Sequence, residues 1–469
     1  MKFFVASLFW SASFAFLCKM TQVEAQRRSS FECPPADLIY PCECSMHPNK
    51  IVTCNDVKNL ETVRNALENR FSKPLPKLQI TNVHTFSLPH NALRNISVRK
   101  LVLNGSNIRK IHDDAFYGQD SLGLLILSED RLTEFPAEAL KRLTSLRTLS
   151  LSGNFLMKIS RESLENLHHL SFLVLSENRI SQIERNAFPR TLETLFLSRN
   201  HLTSLNGSIN YLSRLEVLYV KDNRLTTVKE DLKGLTQLRH LDLDNNKISD
   251  IENSFNDLKA LESLSLAYNN LETIGNNLNH LTELQHLNLS HNYLTELDEE
   301  LFENLNGIEV LDLSGNFLKS ICPTLAPLKG LKVLNLSDTN LLFLDHGCFR
   351  GMKNLQSLDV SHNELRSIDA ITGHYFPKMI FLYLHHNYLS TLRHGLKNLN
   401  SLYELDIRDN HLNSIKHHHL MHNRMLSVLK ISGNSWDCND QFIHLLRDLE
   451  TRGVIVIGKQ MCYLSENVL

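Results

Sequence analysis

Leu284-Gln285-His286-Leu287-Asn288-Leu289-Ser290-His291-Asn292-Tyr293-Leu294 places leucine at the first, fourth, sixth and eleventh positions and asparagine at the ninth. Twenty-three residues earlier the chain reads Leu261-Glu262-Ser263-Leu264-Ser265-Leu266-Ala267-Tyr268-Asn269-Asn270-Leu271, with the same residue types at the same five places. Outward from this pair the pattern restarts at Leu75, Val98, Leu122, Leu146, Leu170, Leu192, Leu215, Leu238, Ile308, Leu331, Leu355, Met379, Leu402 and Leu426, sixteen units in all at steps of 22 to 24 residues. The ninth position is Asn in twelve of them: Asn154, Asn178, Asn200, Asn223, Asn246, Asn269, Asn292, Asn316, Asn363, Asn387, Asn410 and Asn434. Ser106, Asp130 and Thr339 substitute other short polar groups, and the first unit carries Val83 there. A fixed period of this length is the signature of stacked repeats.

The spacing dictates the local structure. Positions 4 and 6 alternate as in a strand and point to one side. Position 9 falls where the chain turns, and a buried carboxamide there can bond the backbone of neighbouring turns. Positions 11, 14 and about 19 fill the interior from the far side, as Leu341, Leu344 and Phe349 illustrate. One unit cannot bury such a wedge alone, whereas a stack buries a continuous core. By length, 469 residues could hold about three ordinary domains. The repeats argue instead for an α/β solenoid (horseshoe) with a parallel concave sheet of about sixteen strands and a disulfide cap at each end. The expected divisions are a signal peptide at 1–25, a cysteine-rich cap at 26–74, repeats at 75–437 and a C-terminal cap at 438–469. In that last cap Asp440 to Thr451 reads as a helix with Phe442, Leu445, Leu446 and Leu449 on one face, followed by a short strand over residues 453–458.

The balance of 49 basic against 51 acidic residues gives a net charge of −2 and argues against nucleic acid as the partner. Lys2, the apolar run from Phe3 to Cys18 and the small-residue site Val23-Glu24-Ala25 read as a secretory signal, so the mature chain is expected outside the cell. No second run of membrane-spanning length follows. Nine cysteines less Cys18 leave eight, an even number suited to an oxidising compartment. Cys33, Cys42, Cys44 and Cys54 crowd the N-terminal cap, and Cys438 and Cys462 frame the C-terminal one. Cys322 and Cys348 remain, in consecutive units, and a bridge between them is expected although their repeat positions do not match. Glycosylation sequons occur at Asn95, Asn104, Asn206, Asn288 and Asn335, the last two on the expected concave strands.

With the repeats and the two cysteine groups together, residues 33–462 resemble the extracellular leucine-rich repeat (LRR) family. The resemblance implies pairing Cys33–Cys44 and Cys42–Cys54. The stretch Cys33-Pro34-Pro35-Ala36-Asp37 through Pro41-Cys42-Glu43-Cys44 is similar to arthropod secreted members, including oplophorus-luciferin 2-monooxygenase non-catalytic subunits. At the other end Asp440 stands where the commoner four-cysteine cap has a second cysteine, which favours a two-cysteine cap. Innate recognition, adhesion and guidance are the roles the resemblance implies.

No nucleophile elbow, zinc-protease helix, phosphate loop or Cys-x-x-Cys is present. The 23 histidines invite a metal reading. His362 and His386 share position 8 of neighbouring units, beside His385 and flanked by Asp359 and Asp406. They are readable as a metal pair, a pH sensor or a solvated rim, and the rim is preferred, as it is for His417, His418, His419 and His422. No cofactor, metal or catalysis is expected. Position 5 is expected to point to solvent from the middle of the concave face. It runs from apolar (Val102, Ile126, Val174, Phe196, Tyr219) to largely acidic (Asp242, Asp312, Asp359, Asp406). Phe172, Val174, Phe196 and Tyr219, with Arg199 and Lys221 at their edge, are therefore the candidate ligand-binding residues, since contiguous exposed apolar groups mark interaction sites. The expected function is non-enzymatic binding of an extracellular protein or of a microbial or cell-surface ligand such as a glycan. The rival is a non-catalytic subunit stabilising a secreted enzyme.

Overall fold

The computed structural model describes residues 31–83, 85–322, 324–344, 347–372, 376–392, 396–459 and 462. The expected signal peptide lies outside them. The chain divides into two compact units, one running to Ile180 and including Ala187–Leu192, the other formed by Ser181–Asn186 and the residues from Glu193 onward.

In the first unit a hairpin, Glu43–Ser45 and Ile51–Asn55, opens the sheet. Parallel strands follow at Leu78–Thr81, Lys100–Asn104, Leu124–Ser128, Thr148–Ser150 and Phe172–Val174. The second unit contains twelve parallel strands, from Thr194–Phe196 to Ile455–Ile457. Each of the sixteen repeats thus contributes one such strand, and with the hairpin and the last strand these number nineteen among the described residues, apart from four two-residue strands paired elsewhere. The position-4 leucines lie in register from turn to turn, Leu195 opposite Leu218 and Leu218 opposite Leu241. They and their position-6 partners are almost wholly buried, Leu264, Leu266, Leu287 and Leu289 having no exposed surface. Burial of each such side chain contributes about 1.5–3 kcal/mol. On the far side Phe255, Phe302 and Phe349 fill the space between turns.

The ninth-position asparagines form a polar ladder through each core, interrupted in the second unit at Thr339. Asn292 Oδ1 accepts from Leu271 N (3.1 Å) in the preceding turn, while its Nδ2 donates to Leu266 O (2.9 Å) of that turn and to Leu289 O (3.1 Å) of its own. Asn154, Asn223, Asn316 and Asn410 repeat the arrangement. The side chain thereby satisfies a buried N–H and two carbonyls that the tight turn leaves without sheet partners. In the last repeat no further asparagine follows. There Trp436 Nε1 donates to Ile431 O (2.8 Å), taking the place of the next amide, and its ring stacks on Phe442 (centroids 5.1 Å).

Four disulfides close the covalent frame: Cys33–Cys44, Cys42–Cys54, Cys322–Cys348 and Cys438–Cys462, with Cα separations of 5.7, 4.3, 4.9 and 5.3 Å. The Cys322–Cys348 bridge joins two successive turns despite their unequal positions. The C-terminal helix is Asp440–Thr451, capped by Asn439 Oδ1 accepting from Phe442 N (3.0 Å), and it buries Phe442, Ile443, Leu445, Leu446 and Leu449. Ile455–Ile457 then pairs with Val428–Lys430. A helix at Leu60–Leu67, capped by Asn59, covers the first turns with Leu60, Val63, Ala66 and Leu67. No helix among the described residues is long and apolar enough to cross a membrane.

Candidate binding surface

Position 5 departs from the expectation that it points freely to solvent. Val102, Ser150, Ser265, Asp312, Asp359 and Asp406 are buried. The reason is lateral. Strands about 4.8 Å apart bring in-register side chains into contact, so a short group is covered when its neighbours are longer. Asp359 lies beside Tyr383, and Asp406 between Tyr383 and Lys430, whereas Asp312 is covered by the equally short Asn288 and Asn335, the latter bonded to it. Phe172, at position 3, is also buried (5% exposed). It supports the surface rather than presenting its ring to a ligand.

In the second unit the expected aromatic pair is present. Phe196 and Tyr219, opposite each other on adjacent strands, stack with ring centroids 4.9 Å apart and planes 22° from parallel. Both are half-buried. In the first unit Val174 is likewise half-buried at position 5. Arg199 holds its backbone at φ 56° and displays its side chain, pairing Nε with Asp222 Oδ2 at 3.5 Å. Lys221 Nζ lies 3.7 Å from Asp244 Oδ2. The two cations follow Phe196 and Tyr219 by three and two residues in their own turns and are already partnered by carboxylates.

Acidic groups fill the sheet face beyond Tyr219. Desolvation pushes Asp242 and Asp244 up from the usual carboxylate range. Their mutual repulsion adds to this at Asp242, while Ser265 and Lys221 oppose it at Asp244. Desolvation also raises Asp312, and Asp359 to about 6, against hydrogen bonds from Ser314 and Ser361. Asp406 goes the other way. Desolvation pulls it up, but a two-pronged bond from Arg408 (2.9 and 2.7 Å) and the nearby His385 leave it below its usual value. The carboxylates of this half of the face are therefore held by hydrogen bonds from neighbouring side chains, while His240 Nδ1 and His385 Nδ1 are buried without a hydrogen-bond partner.

The sequence reading overlooked a second feature of this unit, a ridge just beyond the strands. At position 8 Tyr268 stacks on His291 (4.2 Å, 14°), both with left-handed backbones. The His291 ring lies where a Cβ on Gly315 would have to be, so any larger residue in the next turn would displace the ring from this position. At position 10 Tyr293 stacks on Phe317 (6.3 Å), and Tyr388 packs by His411 (5.5 Å). Tyr268, Tyr293, Phe317 and Tyr388 are 46–53% exposed. Reading position 8 and position 10 as columns would have found them. His362 and His386 also belong to this ridge, their rings 4.3 Å apart. His385 is lowered to about 4, by desolvation first, and stays neutral near pH 7.

The sequons fall into two settings. Asn95 and Asn206 are exposed, although Asn95 Nδ2 bonds Glu68 Oε1 at 2.7 Å. Asn104, Asn288 and Asn335 are half-buried on strands, and Asn335 Nδ2 donates to Asp312 Oδ2 at 3.1 Å.

The family described as Leucine rich repeat matches residues 96–156, 144–189, 190–248, 250–294, 282–328 and 329–389. No match is found among curated protein sequences. Among solved structures, an LRR protein of Leptospira interrogans is similar at 25% identity and a TM-score of 0.72, over 81% of this chain and 94% of that one. An internalin from Listeria monocytogenes is similar at 21% identity and 0.57, over 72% and 87%. Toll, in the Drosophila Toll–Spatzle complex, is similar at 19% identity and 0.64, over 85% of this chain and 51% of that one.

Proposed function

Because the chain belongs to the leucine-rich repeat family, we propose that it is a secreted, non-catalytic binding protein whose ligand is an extracellular protein held on the sheet face around Phe196 and Tyr219. The observation that carries this reading is the stacked pair itself, two half-open rings with Arg199 and Lys221 at their edge. Aromatic and arginine side chains carry a disproportionate share of interface energy. The complex of Toll with Spatzle is a precedent for a protein ligand on a related scaffold. Eight described cysteines, all in disulfides, suit an oxidising compartment. Glycans on Asn288 and Asn335 would obstruct the polar half of the face and direct a ligand toward the rings. A role as stabilising subunit of a secreted enzyme uses the same surface and is recognised by a stoichiometric enzyme partner.

The test begins with capture and crosslinking of native partners from extracellular fluid, followed by titration of the captured protein. Phe196→Ser with Tyr219→Ser is expected to weaken binding by about tenfold or more, roughly 1.4 kcal/mol, with secretion and melting unchanged, since neither ring belongs to the buried positions 4 and 6. The comparison pair is Tyr268→Ser with Tyr293→Ser on the ridge. If the ridge pair abolishes binding and the sheet-face pair does nothing, the ligand sits on the ridge and this placement is wrong.

A further inference from the structure

On the return side of the first unit, the two-residue strands Ser87–Leu88 and Lys110–Ile111 pair in parallel, Ser87 opposite Lys110 and Leu88 opposite Ile111. Past their ends the backbones stay locked. His112 N donates to Leu88 O (3.0 Å), Asn91 N to Asp114 O (3.1 Å) and Ala92 N to Ala115 O (3.1 Å). This register brings His90 of one turn against His112 and Asp114 of the next. One ligand atom from each of the three lies within 4.8 Å of the other two. His90 Nδ1 is 3.8 Å from Asp114 Oδ2, and the two imidazoles meet edge to face at 5.5 Å between centroids.

We propose that His90, His112 and Asp114 bind one divalent transition-metal ion, zinc foremost. Two imidazoles and a carboxylate are a borderline-soft set that suits zinc and leaves a fourth, solvent-facing position. The surroundings hold the ligands as an outer shell does. Arg142 Nη2 stands 3.4 Å from Asp114 Oδ1, which leaves Oδ2 for the ion. Asn91 Nδ2 lies 2.9 Å from His90 Nε2; with the carboxamide turned over, its Oδ1 accepts from Nε2–H and leaves Nδ1, on the side of Asp114, without a proton and able to coordinate. Asp114 N donates to His112 Nδ1 at 3.1 Å, a bond that orients the ring and that coordination through Nδ1 would replace. Zinc bonds of about 2.0–2.2 Å place ligand atoms some 3.3 Å apart in a tetrahedron, so closure needs side-chain shifts of only about 1 Å. The side chain of His90 is 59% exposed and that of Asp114 35%, so both have room to make them. The bound ion would pin two successive turns together where the stack begins.

The experiment is zinc titration by calorimetry on the untagged full-length protein after chelator treatment, with cobalt absorbance to report geometry. The expected result is one equivalent of zinc, a tetrahedral cobalt spectrum and a higher melting temperature with zinc present, because an ion bound only by the folded chain stabilises it. His90→Gln and His112→Gln, each at an exposed ring, should melt like the wild type in chelator yet bind zinc at least about tenfold more weakly. A variant with His417→Gln, His418→Gln and His422→Gln should keep the equivalent. The proposal is overturned if the wild type takes up no stoichiometric ion, or if the His90 and His112 variants bind as tightly as it does.

Discussion

Replacing Asn292 by leucine is expected to destabilise the second unit by about 3 kcal/mol, although the two side chains have the same branching and the same number of heavy atoms. The Leu271 N–H loses its acceptor, and Leu266 O and Leu289 O each lose one of two donors. A buried donor left without a partner costs ~1–3 kcal/mol, and the lost bonds add to it. A stack of repeats unfolds in parts, so one global midpoint is a poor reporter. Hydrogen exchange is the better measurement, and it should accelerate first in residues 261–316. A surface change such as Glu283→Gln should stay within about 0.5 kcal/mol. If Asn292→Leu falls in that range too, the ladder is ornamental to stability and the leucine core alone holds the turns.

The opposite sign is expected at Asp130, the one carboxylate in the ninth-position column. Its Oδ1 does what asparagine does, accepting from Ser106 N (2.9 Å) and Ile108 N (3.1 Å). Oδ2 is left on the side where other turns carry a donating Nδ2, and it is buried with no partner. Desolvation therefore raises this group to about 6, with Glu129 adding to the rise and the two N–H bonds opposing it. Because the folded value exceeds the unfolded value of about 3.9, the folded chain holds its proton more tightly. The group's contribution is complete below about pH 4 and is lost as pH rises through about 6. Asp130→Asn removes that loss and restores the donor. It should stabilise the protein by ~2–3 kcal/mol at pH 7.5 and by much less at pH 4. Melting of both proteins at the two pH values decides the matter, and an advantage that does not shrink on acidification would contradict it.

The inward half of each turn was legible because leucine at positions 1, 4, 6 and 11 is dictated by the core of its own turn. All sixteen starts carry a strand, and the helix Asp440–Thr451 lies where its apolar face indicated. The outward half was less legible. Whether Asp312 or Asp359 meets water depends on Asn335 and Tyr383, a full repeat away in sequence and adjacent in space. The Tyr268–His291 stack and the His90, His112 and Asp114 cluster depend in the same way on neighbours more than twenty residues distant. The helix Leu60–Leu67 has a helical spacing of apolar residues, but it sits outside the repeat and the repeat period says nothing about it.

The asparagine ladder also has a direction, and the ribosome travels along it. Each amide reaches back to complete the turn made before it, so within each unit the newest turn always emerges with an N–H unanswered and a carbonyl short of one donor. A nascent chain is thus one turn short of a finished edge throughout synthesis, and its growing end remains a ready seat for the next repeat or for a chaperone. Growth stops being necessary only when Trp436 arrives, because its indole supplies from within the same turn the hydrogen that the asparagine of a seventeenth repeat would have brought to Ile431 O. The residue that ends the series is therefore translated only after every asparagine of the ladder. A chain released before it would present the same bonding-competent edge that every intermediate length presented in passing.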